Sequence, residues 1–135
     1  MQRERFDEYI RRFHARDYDG LLEFYGPEPE VIFAGYALRG RGAIKSFYAF
    51  LHQYIHETVA VDRYVADEHT VALEARVRLE GIRDLTPEIL TAQGYGRLVA
   101  MPAGVVVELP QYIHYHLENG KFVSARCAMF EPPKA

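Results

Sequence analysis

The chain has 135 residues, 49% hydrophobic and 26% charged, with a net charge of −3. That is enough for one core and is ordinary for a soluble domain. It excludes a broad electrostatic attraction to nucleic acid or an anionic membrane, and no apolar run approaches the ~20 residues of a spanning helix. The single cysteine, Cys127, cannot form an internal disulfide, and the charged N-terminal residues lack the apolar segment of a secretory signal; a cytoplasmic protein is expected.

Phe6, Tyr9, Ile10 and Phe13 recur at i, i+3, i+4, i+7 and predict a helix from about Gln2 to Arg16, with charged residues on its other side. Asp17-Tyr18-Asp19-Gly20 breaks it. A second short helix is expected to carry Leu21, Leu22, Phe24 and Tyr25, and Gly26-Pro27-Glu28-Pro29 to stop it. Val31–Ala34 reads as a short apolar strand. Leu38-Arg39-Gly40-Arg41-Gly42 reads as a polar link into a third helix, roughly Ala43 to Ile55, with a buried stripe from Ile44 through Phe47, Tyr48 and Leu51. Gly40-x-Gly42 lacks the lysine and the preceding long strand of a phosphate loop, so no cofactor is expected.

Beyond the third helix the period changes to two. Thr58 to Ala66 reads as a strand, and Thr70 to Ile82 alternates most clearly: Val71, Leu73, Ala75, Val77 and Leu79 share one face, and Glu74, Arg76, Arg78 and Glu80 the other. Thr86-Pro87 supplies an N-cap and a first helical residue for a short helix closed by Gly94. Residues 84–103 otherwise read as a lid or arm laid over the sheet. Gly104 to Leu109 is a further strand. A hairpin then turns at Asn119-Gly120, the strongest short hairpin signal in the chain, with Glu118 and Lys121 placed to pair across it. Helices followed by strands predict a single α+β domain over residues 1–135, with three N-terminal helices packed in a curved antiparallel sheet.

The ten tyrosines and eight phenylalanines, with no tryptophan, are an unusual aromatic supply. That many phenols sit at the surface or need hydrogen-bond partners inside. His114 and His116 point the same way with Tyr112, and His52 and His56 stand four apart on the third helix. Neither pair has a third ligand at suitable spacing, so no metal site is expected. In a regular two-residue hairpin Ile113 and Tyr115 would share a face with Ser124 and Arg126. A bulge near Arg126 or Cys127 would restore an apolar strand; without one, an inward Arg126 would anchor an anionic ligand.

Asp17-Tyr18-Asp19-Gly20-Leu21, Leu38-Arg39-Gly40-Arg41-Gly42-Ala43-Ile44 and Asn119-Gly120-Lys121-Phe122-Val123-Ser124-Ala125-Arg126 carry, in this order, a resemblance to the nuclear transport factor 2-like cone fold (cystatin-like). Within it the chain resembles the SnoaL-like polyketide cyclases and ketosteroid isomerases. The resemblance covers nearly the whole chain. It implies a curved sheet wrapped round three helices, an apolar cone-shaped pocket, and a homodimer formed through the sheet's outer face.

The isomerases use a helix-one tyrosine as oxyanion donor, supported by two more. These positions correspond here to Tyr9, Tyr25 and Tyr48. The general base corresponds to Phe33 and the second, protonated aspartate to Ile113, so both carboxyl groups are replaced; the acidic residue of the cyclases' last strand meets Arg126, Cys127 and Ala128. Moving a proton between carbons needs a base near the substrate, which phenylalanine cannot supply. The resemblance thus implies a binder of a small apolar oxygenated molecule, lined by Phe13, Phe33, Phe47, Leu51, Val77, Ile113 and Tyr115, with Tyr9 as donor. Two alternatives stay open: an isomerase, cyclase or dehydratase whose base lies at His14, His52, His56 or on the 84–103 arm, and a ligand-free dimeric scaffold.

Overall fold

A computed structural model describes residues 1–135. Its elements are α1 (Arg3–His14), α2 (Tyr18–Leu22), β1 (Tyr25–Phe33), β2 (Tyr36–Arg39), α3 (Arg41–Leu51), β3 (Ile55–Ala66), β4 (Thr70–Gly81), α4 (Pro87–Ala92), β5 (Val106–Glu118) and β6 (Lys121–Met129). The six strands form one curved sheet in the order β2-β1-β6-β5-β4-β3, and α1 to α3 pack on its concave face. No helix is long and apolar enough to cross a membrane.

The stripe of α1 does what its spacing requires. Phe6, Tyr9 and Phe13 are buried, and Phe6 has no exposed surface at all. Phe6 meets the rings of Tyr9, Tyr64, Tyr115 and Phe122 at centroid distances of 5.5, 5.4, 5.4 and 6.4 Å. Burying a side chain of this size contributes roughly 1.5–3 kcal/mol. Val71, Leu73, Ala75 and Val77 of β4 complete the same core, while the opposite face of β4 carries ion pairs such as Arg76–Asp62 at 2.9 Å.

Several expectations are corrected. The sheet is mixed rather than wholly antiparallel, because β1 runs parallel to β6. The second helix ends at Leu22, and Tyr25 opens β1 instead of closing that helix. Proline can join a strand where the ladder is interrupted; Pro27 and Pro29 fall in the irregular stretch between the Tyr25–Phe122 and Glu30–Ser124 pairs. Tyr36–Arg39 is a strand, and only Gly40 remains of the polar link, as the N-cap of α3. The third helix ends at Leu51, so Ile55 and Glu57 belong to β3.

The hairpin conflict is resolved by a bulge at neither Arg126 nor Cys127. Leu117 pairs with Phe122 and His116 with Ser124, which leaves Val123 as the extra residue. Beyond it the phase of β6 reverses, so that Ala125 is buried on the same side as Phe122, beside Tyr115 and Leu117. Arg126 lies opposite His114 and is exposed, so it is no inward anchor. At the turn, Asn119 and Gly120 have φ of 52° and 74°, the left-handed pair that the dipeptide supplies. Glu118 and Lys121 are register partners across the turn as expected, while the Lys121 ammonium donates to the Glu23 carbonyl.

Residues 84–103 pack on a second, smaller cluster of Phe50, Ile55, Leu85, Leu90 and Met101. Thr86 caps α4 by accepting from the Ile89 N–H at 3.2 Å. The segment returns close against β4: a Cβ on Gly81 would lie 2.2 Å from the Pro102 carbonyl oxygen.

Candidate functional site

A cavity of about 60 Å³ lies between the helices and the sheet. Its apolar walls include Ile10 and Phe13 of α1, Val59 of β3, Val77 of β4 and Ile113 of β5. Seven of the side chains that reach it carry polar atoms: Tyr9, Tyr25, Tyr48, Tyr115, Glu57, Gln111 and Cys127. That is room for a few ordered waters or a compact ligand.

One side of the cavity is built from phenols. Tyr9 and Tyr25 share a buried hydroxyl–hydroxyl hydrogen bond of 2.7 Å. Tyr25 is held there by Arg41, whose guanidinium donates to the carbonyls of Leu22, Tyr25 and Gly26 at 2.7, 3.0 and 3.3 Å. Tyr115 and Tyr48 also present their rings to the cavity. Burial pushes all four phenols well above their ordinary value of 10.0. They remain neutral O–H donors at any physiological pH.

The other side is built from a carboxylate. Glu57 sits in the inward series Ile55, Glu57, Val59, Val61 of β3, and its side chain is 13% exposed. Its Oε1 is 2.8 Å from Nε2 of His52, and Nδ1 of His52 is 2.7 Å from the Tyr18 hydroxyl. An ionised carboxylate only accepts, so an ionised Glu57 requires the proton on the facing Nε2; the roles at Nδ1 and the Tyr18 hydroxyl follow the tautomer of the ring. The His52 ring lies nearly parallel to the rings of Tyr18 and Tyr48, with interplanar angles of 20° and 27°, and Phe13 meets it edge-on. Arg16 fixes the strand behind the carboxylate by donating to the Glu57 backbone carbonyl at 2.7 Å. Oε2 of Glu57 makes no protein hydrogen bond and keeps some accessible surface.

Of the residues expected at the site, Tyr9, Tyr25, Tyr48, Phe13, Val77, Ile113 and Tyr115 are brought together round this cavity. Phe33, Phe47 and Leu51 are not. Phe33 and Phe47 meet in a tilted contact at 4.9 Å, and Tyr95 of the 84–103 segment meets Phe47 edge-on, also at 4.9 Å. Leu51 packs between the two apolar clusters. The two histidine pairs separate or face outward: His52 is buried and His56 exposed, while His114 and His116 are both exposed on the outer face. His14 is turned aside, its Nε2 accepting from the Val59 N–H at 2.9 Å. Cys127 opens on the cavity, and burial pushes its thiol up to about 12, which leaves it protonated and unreactive. Glu57 is the residue that sequence reasoning missed. Its signal was the carboxylate in the alternation Ile55-x-Glu57-x-Val59-x-Val61, hidden when the third helix is run to Ile55.

A family model described as SnoaL-like domain matches residues 6–125. No curated protein matches the chain significantly. Among solved structures, a nuclear transport factor 2-like protein of unknown function from Burkholderia pseudomallei superposes with a TM-score of 0.70 at 16% identity, covering 92% of this chain and 86% of that one. The epoxide hydrolase/cyclase-like enzyme SalBIII, with a role in pyran ring formation in the polyether salinomycin, superposes at 0.69 and 18% identity, covering 96% and 94%. A Mycobacterium tuberculosis protein in complex with estradiol-17β-hemisuccinate superposes at 0.65 and 14% identity, covering 88% and 85%. These similarities establish the cone fold.

Proposed function

The chain belongs to the SnoaL-like domain family, and from that premise we propose that it binds a small, largely apolar, oxygenated molecule in the cavity, with Tyr9 as the main polar contact. The observation that carries this is the buried Tyr9–Tyr25 hydroxyl pair opening on an otherwise largely apolar cavity. One hydroxyl of such a pair can donate to the other while the second donates to a ligand oxygen. That a fold relative holds a steroid ester and another acts in polyether ring formation supports an oxygenated organic ligand. The volume favours a compact one, such as a cyclic ketone or a simple phenol. Residues 1–135 act as one unit in this reading, and residues 84–103 cover the Phe33–Phe47 end.

The test is ligand-detected NMR and thermal shift with small phenols and cyclic ketones, wild type and Tyr9→Phe side by side. Loss of the hydroxyl is expected to weaken binding by about 1 kcal/mol, roughly fivefold in Kd. No binding by the wild type, or equal binding by the variant, overturns the reading.

A homodimer through the outer sheet face accompanies it. There Tyr112 stacks on Phe130 at 4.4 Å, and the two rings remain 45% and 38% exposed beside Met129 at 53%. Such an apolar cluster on a sheet favours a second surface over water. Sedimentation at high micromolar concentration is expected to show a dimer; a strict monomer contradicts it.

A further inference from the structure

We propose that Glu57 is a general base that removes a proton from carbon next to the carbonyl of the bound molecule, with His52 as its positioning residue. This rests on the binding reading above and goes beyond it. The two positions at which the ketosteroid isomerases carry carboxyl groups hold Phe33 and Ile113, and neither can take a proton. Glu57 supplies the missing group from another strand, on the same cavity as Tyr9, Tyr48 and Tyr115.

Its geometry suits the role. One carboxylate oxygen is tied to His52; the other has no protein hydrogen bond and keeps accessible surface, on a residue that lines the cavity. The His52 ring is restrained at both nitrogens, by Glu57 and by the Tyr18 hydroxyl, and packs against the rings of Tyr48 and Phe13. The carboxylate is therefore fixed in one orientation before a ligand arrives, which is the condition for efficient proton transfer. In the step, the C–H bond breaks and its proton passes to Oε2 of Glu57. The C–H electron pair becomes the new carbon–carbon π bond, and the carbonyl π pair moves onto oxygen. A neutral phenol donates to the resulting enolate oxygen. Return of the proton, to the same carbon or to a conjugated one, regenerates the carboxylate, so no further reactant is consumed.

The experiment follows deuterium incorporation into cyclopentanone by proton NMR in D₂O, with ketone binding measured in parallel. Wild type is expected to exchange the α-protons faster than buffer, and Glu57→Gln, which keeps the shape and still meets His52, to lose about 100-fold or more of that rate at unchanged Kd. His52→Phe keeps a ring in the stack but removes the donor. The rate at saturating ketone is expected to fall about 10- to 100-fold while Kd stays the same, an effect that simple loss of packing would not separate in this way. If circular dichroism shows Glu57→Gln unfolded, Glu57→Asp decides: it keeps the charge and withdraws the oxygen, and an unchanged exchange rate overturns the proposal. Binding without exchange above buffer overturns the base assignment alone. Absence of binding overturns both the assignment and the reading beneath it.

Discussion

The phenol side of the cavity is held mainly by packing, and its carboxylate side mainly by a chain of hydrogen bonds. Tyr9 and Tyr25 stand in a crowd of rings: Phe122 lies 5.0 Å from Tyr9 and 5.3 Å from Tyr25, and Phe6 and Phe24 each lie 5.5 Å from Tyr9. Glu57, by contrast, owes its orientation to His52, Tyr18 and Arg16. The difference teaches where each side is fragile. Packing loses stability in proportion to the volume removed, whereas a polar chain fails when a single partner is missing.

The largest expected effect breaks the phenol side. Phe6→Ala empties a fully buried site among four rings and is expected to cost about 3–5 kcal/mol in urea denaturation. A cost under about 1 kcal/mol would show that Tyr9 does not depend on that packing. Next comes the carboxylate side. His52→Ala leaves the part-buried Glu57 without its donor and is expected to cost about 1–3 kcal/mol, with cyclopentanone exchange lost even where the fold survives. A variant that keeps both full stability and exchange would dissolve the contrast.

Two smaller effects sharpen it. The Cys127 thiol, pushed up to about 12 by burial, is expected to resist an aromatic disulfide reagent at pH 8 in the native protein and to react at once in denaturant. Rapid native labelling would mean that the cavity is open to bulky molecules. His14 accepts from the Val59 N–H beside Glu57, and burial lowers its folded-state value below the ordinary 6.5. The unfolded chain then binds more protons, so stability holds above pH 6.5 and falls as pH drops from there toward the lowered folded value. In His14→Gln that share of the slope is expected to vanish. An unchanged pH–stability curve would contradict it.

The same contrast explains what the sequence made legible. The α1 stripe and the β4 alternation are long and strictly periodic, so the core side, Tyr9 and Val77 included, could be read from spacing. Tyr25 was legible as a site residue but not as a strand residue. The two prolines after it read as a helix stop, although they occupy an interruption in a parallel ladder. The orientation of β6 turned on a one-residue bulge at Val123, and nothing in a valine announces one. Glu57 lay hidden for a related reason. Tyr54 and Ile55 continue the apolar stripe of α3 by chance, which carries an expected helix past the point where His52 caps it and conceals the start of β3.

Both proposals require the Tyr9 hydroxyl and the Glu57 carboxylate to open on one cavity that takes a carbonyl ligand. The most direct test is a cyclopentanone titration followed by carbon-13 NMR of the tyrosine Cζ and glutamate Cδ signals, assigned with Tyr9→Phe and Glu57→Gln. Both signals are expected to move together with a single Kd while exposed Tyr112 stays still. Movement of neither, or of Tyr112 alone, would contradict it.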